Sequence, residues 1–325
     1  LSGSNMYIRD YLISQVLVHL PAEKQLFLLQ TSILDRFCAS LCQAVIMLDS
    51  PLLDAQATLQ ELEATNVFTI PLDDSGHWFR YHHLFDEFLQ MRLHEGYSNE
   101  VVAALHVRAS AWFAEHGFIE EALKHALTAG EMEAAIQIVA ANRQELMNEE
   151  HFQRLWRWLQ QFPQHSIEES PDLLLIQARS AQIQRFDMAE VIRIADKVDV
   201  LVNALPLEPQ RAERMLAETG ALRSASHYFA LDPQAALAYC RNGLEIMPRQ
   251  WYALRSYCWI YGAAALQMMG DLSGAYDWIQ QGRCEDVEVS GGPQARNAIA
   301  EGFVSWMAAD LASLQRVGEF ALRVS

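Results

Sequence analysis

Four histidines lie close together in the first third of the chain: His77, His82, His83 and His94. His83 and Glu87 are four apart in a stretch with helical spacing. That would set an imidazole and a carboxylate on one helix face, an arrangement open to a divalent metal. The stronger H-E-x-x-H pattern is missing. The plainer reading makes His82 and His83 a helix-start pair, one ring solvated and one packed beneath a neighbouring hairpin. Cys38 and Cys42 are also four apart, but no Cys or His pair accompanies them at zinc spacing. They read as buried structural thiols, and no metal is expected.

Other chemistry is scarce. No stretch reads G-x-x-x-x-G-K-[ST], G-x-G-x-x-G or G-x-S-x-G. No catalytic residue is assigned, and no enzymatic activity is expected of this chain. The aromatic residues Trp156, Trp158, Trp251, Tyr252, Trp259, Tyr261, Trp278 and Trp306 could line a concave surface and stack on sugars or peptides. Helix layers also need bulky knobs, and Trp158 within Leu155-Trp156-Arg157-Trp158-Leu159 reads as one. The acidic runs Glu149-Glu150, Glu168-Glu169 and Glu285-Asp286 read as solvated faces or helix starts.

The elements that position these residues are mainly helical. Glycine and proline are sparse, at 15 and 10 in 325 residues. Leu12, Val16 and Leu20 recur at spacings of four before Pro21 breaks the pattern. Leu26, Phe27, Leu29, Ile33, Leu34 and Phe37 form one broad stripe. Leu41, Val45 and Leu48 follow at helical spacing, and Leu52 to Leu62 is another amphipathic piece. One place departs from this. Val67 to Leu72 is β-prone, Asp73-Asp74-Ser75-Gly76 is a turn, and His77 to Tyr81 is β-prone again, which predicts a hairpin. A helix from His82 to Leu93 comes next. Helices followed by one hairpin predict a winged-helix domain over residues 1–97. That span holds five basic and twelve acidic residues, with Asp73 and Asp74 on the hairpin itself. No direct DNA contact is expected from it.

From residue 98 to 325 helices pair through short turns around a repeated theme. It appears at Gly117 to Ala122, Gly130 to Ala135, Phe186 to Ala189, Asp232 to Ala236 and Gly270 to Ala275. Ala189 and Ala236 are 47 apart, and Ala236 and Ala275 are 39 apart. Periods near 40 predict an α-solenoid of tetratricopeptide (TPR) type with about six helix pairs, the last truncated. The fold class is therefore mainly α: a winged-helix module with one β-hairpin, then a TPR-like α-solenoid.

The net charge of −17 disfavours nucleic acid as a direct partner. Five scattered cysteines predict a reduced, cytoplasmic chain. The longest nearly apolar run, Tyr257 to Gly270, is short of a bilayer span, so no membrane partner is expected. The chain opens without Met and stops without a helix stop signal, so a piece of a longer protein is expected.

Several runs resemble a known family. Tyr11-Leu12, Leu26 through Phe37, and Leu41-Cys42-Gln43-Ala44-Val45 resemble the large ATP-binding regulators of the LuxR family, the MalT-like members of the STAND class. Asn66-Val67-Phe68 leading to Pro71-Leu72-Asp73, and Trp78-Phe79-Arg80-Tyr81-His82-His83-Leu84-Phe85, resemble a second signature. Leu105-His106 to Trp112-Phe113, then Glu121 to Leu127, resemble the entry to the repeat domain. The resemblance is specific up to about residue 160 and generic beyond it.

It implies a bacterial, cytoplasmic, signal-responsive transcription activator. A small-molecule inducer, such as a sugar, or a regulatory protein binds the repeats. That event is coupled to an ATP/ADP switch upstream and a LuxR-type DNA-binding domain downstream, both outside this chain. Self-association of the parent protein is also implied. Tyr81-His82-His83-Leu84 resembles the Met-His-Asp motif of STAND ATPases of apoptosis and plant immunity, with His83 replacing the acid. By that resemblance His82 contacts the β-phosphate of ADP in the intact protein. An imidazole N–H at a helix N-terminus suits a phosphate. The alternative is a stand-alone TPR scaffold that binds proteins.

Overall fold

The computed structural model describes residues 17, 19–47, 54–64, 69–73, 77–285 and 292–324. The helix expected around Leu12 and Val16 lies outside them, as do Leu48, Leu52, Asn66-Val67-Phe68, Asp74-Ser75-Gly76 and Asp286. The fold is 78% helical, with a single two-stranded antiparallel hairpin among the described residues. The chain divides into two compact units, one through Ile138 and one from Val139.

Among the described residues the first helix of the first unit is α1 (Ala22–Thr31), which starts directly after Pro21. The apolar stripe continues to Phe37, but the helix stops at Thr31. The Thr31 hydroxyl donates back to the Phe27 carbonyl and shares a hydrogen bond with the Tyr81 hydroxyl, both at 2.7 Å. Phe37 then leaves the helical path. Its N–H and C=O both pair with Phe79, each bond 2.8 Å, as an antiparallel bridge on the hairpin. Two helices follow, α2 (Ala39–Val45) and α3 (Ala55–Ala64).

The hairpin joins β1 (Thr69–Pro71) to β2 (Phe79–Tyr81), with Ile70 opposite Arg80. Asp73 helps close its loop. Its carboxylate accepts the N–H of His77 at 2.8 Å and of Trp78 at 3.2 Å. Along β2, Phe79 and Tyr81 are buried and Arg80 is exposed, the alternation of a one-sided strand. Next comes α4 (His83–Gly96), which buries Phe85, Phe88, Leu89 and Leu93 against α1 and the hairpin residues.

The same unit takes in α5 (Asn99–Glu115) and α6 (Ile119–Thr128). Arg36 joins them to the winged helix: its guanidinium sits 4.8 Å from the Trp78 ring and 4.9 Å from the Phe118 ring, and it pairs with Glu121. Lys124 pairs with Asp35, and Arg108 donates to the Ala44 carbonyl at 2.6 Å. The chain then enters α7 (Met132–Asn148), which spans the boundary between the units.

The second unit continues with α8 (Phe152–Leu159), α9 (Gln164–Glu169) and α10 (Pro171–Ser180). A single π-helical turn, Ala181–Arg185, extends α10. Then come α11 (Met188–Ala204), α12 (Pro209–Phe229), α13 (Pro233–Ile246), α14 (Tyr252–Met268), α15 (Leu272–Glu285), α16 (Gly292–Met307) and α17 (Leu311–Val324). Helices α10, α12, α14 and α16 pack one against the next; α11, α13 and α15 each pack between two of them, and α17 packs against α16. That is the layering of a TPR-like array.

The four turns within these pairs share one device. Phe186, Leu231, Gly270 and Ala309 adopt φ of 52°, 62°, 87° and 57°. An aspartate follows each, and its carboxylate accepts an N–H from the first turn of the second helix. Asp187, Asp232, Asp271 and Asp310 accept from Glu190, Ala235, Gly274 and Ser313 at 3.0, 3.2, 2.9 and 3.0 Å. In three turns the aspartate's own N–H bonds to the carbonyl five residues back. At Asp187 the bond reaches six back, to Ala181, because the π turn inserts one residue.

No helix among the described residues is long and apolar enough to cross a membrane.

Candidate functional site

His82 stands at the junction of β2 and α4. Buried Tyr81 anchors that junction, with its ring 4.4 Å from Phe37 and 5.9 Å from Phe85. His82 is half-buried with extended backbone (φ −62°, ψ 134°). Its carbonyl accepts the N–H groups of Phe85 and Asp86, while its imidazole makes no capping bond to the helix. The ring is therefore not committed to α4. His83 is exposed, its ring 4.5 Å from that of His82. His77 and His94 are both exposed. In the first turn of α4, burial pushes the Asp86 carboxyl up to about 6, helped by the charges of Asp35 and Glu87. Cys42 is fully buried and Cys38 half-buried.

A second histidine pair joins two residues of the resemblance signature that sequence reading left separate. His106 on α5 and His125 on α6 meet Nδ1 to Nδ1 at 2.7 Å. One ring must donate to the other, so both cannot be charged. Burial, then the nearby Lys124 charge, pushes His106 down to about 4. Burial, then His106 itself, pushes His125 down to about 3.

The second unit separates the aromatic residues singled out in the sequence. Trp158 and Trp259 are buried knobs, and Trp156, Trp251, Tyr252 and Trp278 are half-buried. Tyr261 and Trp306 instead join a continuous aromatic run along the first helices of successive pairs. Phe186 meets Phe229 at 4.9 Å, Phe229 meets Tyr261 at 6.0 Å, and Tyr261 meets Tyr257 at 5.8 Å. Tyr228 links Tyr261 to Phe303 at 5.8 and 6.4 Å, and Phe303 meets Trp306 at 6.2 Å. Phe186, Phe229 and Trp306 are 59%, 47% and 62% exposed, so the run presents aromatic surface to solvent. Burial raises the hydroxyl pKa of Tyr228 and Tyr261. Such surface stacks on planar or sugar faces.

The array also holds a series of buried arginines that the sequence reading did not use. Arg143, Arg179, Arg223, Arg255 and Arg296 are buried, one on each of α7, α10, α12, α14 and α16. Arg143 holds Glu218 through two bonds, 2.7 and 2.9 Å, and Asp172 at 3.1 Å. Arg223 pairs with Asp196 and Asp199 at 2.7 and 2.8 Å. Arg255 holds Glu285 at 2.6 Å and donates to the Leu244 and Met247 carbonyls. Arg296 pairs with Glu150. The signal in the sequence is an arginine recurring at intervals of 32 to 44 residues, close to the repeat length.

Comparison with known proteins agrees with this architecture. Residues 13–101 match the family model of the MalT winged helix domain. Serine/threonine-protein kinase PknK of Mycobacterium tuberculosis is 32% identical over 231 residues, an alignment covering 71% of this chain and 20% of the kinase. PknK of Mycobacterium bovis matches to the same extent. The chain thus spans about a fifth of the length of these relatives. Among solved structures, a signal transduction ATPase with numerous domains (STAND) with a tetratricopeptide repeat sensor, from Pyrococcus horikoshii, superposes with a TM-score of 0.63. That match covers 97% of this chain and 46% of the other at 12% identity, so the likeness is one of fold. The chain carries a MalT-type winged helix followed by a TPR-like helical array.

Proposed function

We propose that this chain is the winged-helix and sensor portion of a STAND-type regulator, a signal-responsive transcription activator of the bacterial cytoplasm. A small-molecule inducer, such as a sugar, or a regulatory protein binds the helical array. Binding there biases an ATP/ADP switch in an upstream nucleotide module, and the output is a LuxR-type DNA-binding domain on the same parent protein. The parent self-associates in its active state. The chain itself contributes neither ATP hydrolysis nor DNA contact.

One observation carries this reading. A MalT-type winged helix at residues 13–101 is followed on the same chain by stacked helix pairs, in a fold shared with a STAND protein that has a TPR sensor. His82 supports it further: its imidazole lies at the start of α4 without a capping bond, where an N–H can meet a phosphate. ADP, when bound, would supply the negative charge that this position favours.

A second reading has its own support. The 32% identity to PknK favours a parent whose output is a protein kinase rather than a DNA-binding domain. Sequencing the parent gene on both sides tests both. A Walker A motif upstream with a helix-turn-helix downstream supports the activator. A kinase domain supports the second reading. Finding none of these rejects both and leaves the stand-alone TPR scaffold.

A further inference from the structure

Five buried arginines line the first helices of the array, and four have a carboxylate partner. Arg179, 4% exposed, is the one without a carboxylate among the described residues. A buried guanidinium brings its charge into the interior, where it needs a partner. Its charge here rests on the Tyr257 ring, 3.7 Å away, and on one neutral hydrogen bond, Nη1 donating to the Gln182 side-chain oxygen at 2.6 Å. Its Nε is buried with no acceptor, and so is Nε2 of Gln182, a residue 3% exposed. Two adjacent buried donors thus lack an acceptor, beside an uncompensated positive charge. Roughly nine in ten buried polar groups in proteins are paired, most often by other protein groups or ordered water.

The local backbone is also unusual. Gln182 lies in the π turn, a feature that recurs at functional sites. A cavity of about 10 Å³ opens against Phe152, Trp156, Arg179, Ser180, Ile183 and Gln184, about the space of one water molecule. Tyr257 ties Arg179 to the aromatic run, since its ring is 5.8 Å from that of Tyr261.

We infer that Arg179 and Gln182 form an anion-recognition point, which takes one oxygen of the carboxylate or phosphate group of a small-molecule ligand at the end of the aromatic run. The free donors bind that one oxygen, for which the water-sized cavity has room, and the guanidinium supplies the charge. The neighbouring rings face the ligand's body. This gives the ligand of the proposed sensor a chemical class, and in that respect it rests on the sensor reading.

The test uses the full chain, with acetate and inorganic phosphate as probes, acetamide as the neutral control, and constant ionic strength. One or both anions should raise the Tm saturably, by about 2–4 °C, and acetamide should not. The Arg179 Nε–H resonance should shift with the same saturation. Gln182→Glu supplies the missing carboxylate from within. It should raise the Tm without added anion and abolish the anion response, and Arg179→Met should also abolish the response. The inference is overturned if neither anion moves the Nε–H resonance. It is also overturned if Gln182→Glu keeps the full anion response. None of these readouts involves gene or kinase output, so a parent whose output ignores its ligands would reject the sensor reading alone.

Discussion

Trp278 of α15 lies directly over Gly262 of α14, where an added Cβ would come within 2.5 Å of the indole. The reverse contact lies in the same helix pair: Trp259 of α14 covers Gly282 of α15, where a Cβ would meet its ring at 2.8 Å. The two indoles meet edge to face at 5.1 Å. Each helix therefore gives a large side chain and receives one, which lets the backbones approach closely.

Gly262→Ala should accordingly destabilise the array by about 1–3 kcal/mol, because the indole is fixed by its Nε1–H bond to the Cys258 carbonyl at 3.3 Å and by its contact with Trp259. Gly318→Ala is the control. It lies within α17 with nothing inside 4 Å of the new Cβ, and should stabilise by up to about 1 kcal/mol through helix propensity. Urea unfolding of the two variants checks this. Equal effects at the two sites would refute the interlocking role of Trp278.

Acid should weaken the fold through His106 and His125. Their folded pKa values, about 4 and about 3, lie below the ordinary histidine value of 6.5. The unfolded chain therefore binds more protons between those limits. Stability is intact above pH 6.5 and falls as pH drops through 4 toward 3, with about 2–3 kcal/mol lost per histidine by pH 4.5. Denaturation midpoints across this range should show the fall, and His106→Phe should flatten it. An unchanged slope in that variant would assign the acid sensitivity to other groups.

Arg143 serves two carboxylates at once, and Arg211 also reaches Asp172 at 2.6 Å. Arg143→Met leaves Glu218 buried and without its charge partner, a loss of about 3–5 kcal/mol. The double variant Arg143→Met, Glu218→Leu removes both charges and should recover most of that loss. A double variant as unstable as the single one would show that packing, not uncompensated charge, sets the cost.

In the full-length parent protein, His82→Ala should weaken ADP binding about tenfold or more, the worth of one hydrogen bond to a charged phosphate. ATP-independent properties of the chain, including its Tm, should barely change, since the ring makes no capping bond. A direct titration giving unchanged ADP affinity would remove His82 from the nucleotide site.

Much of the architecture was legible in the residues because it is local. Pro21 before Ala22 marks the start of α1. The β-prone segments around Asp73 placed the hairpin, and Asp187, Asp232 and Asp271 flagged the turns where they cap helices three residues on. His82 sat at a helix start for the same reason: β-prone Tyr81 precedes a helical stripe. The apolar stripe through Phe37 misled, because periodicity records which residues are buried and not which backbone buries them. Phe37 reaches the core through a bridge to Phe79, 42 residues away.

The sequence alone therefore determined the helical class, the hairpin, the turn sites and the order of the elements, since capping, propensity and hydrophobic period act over a few residues. Only the tertiary structure decided which side chains share a site. It paired His106 with His125, sorted Tyr261 and Trp306 into an exposed run while burying Trp158 and Trp259, and gave four buried arginines a carboxylate but not Arg179. Those outcomes depend on distances between residues tens of positions apart. Helix packing sets these distances, and burial then decides what a charge without a partner costs.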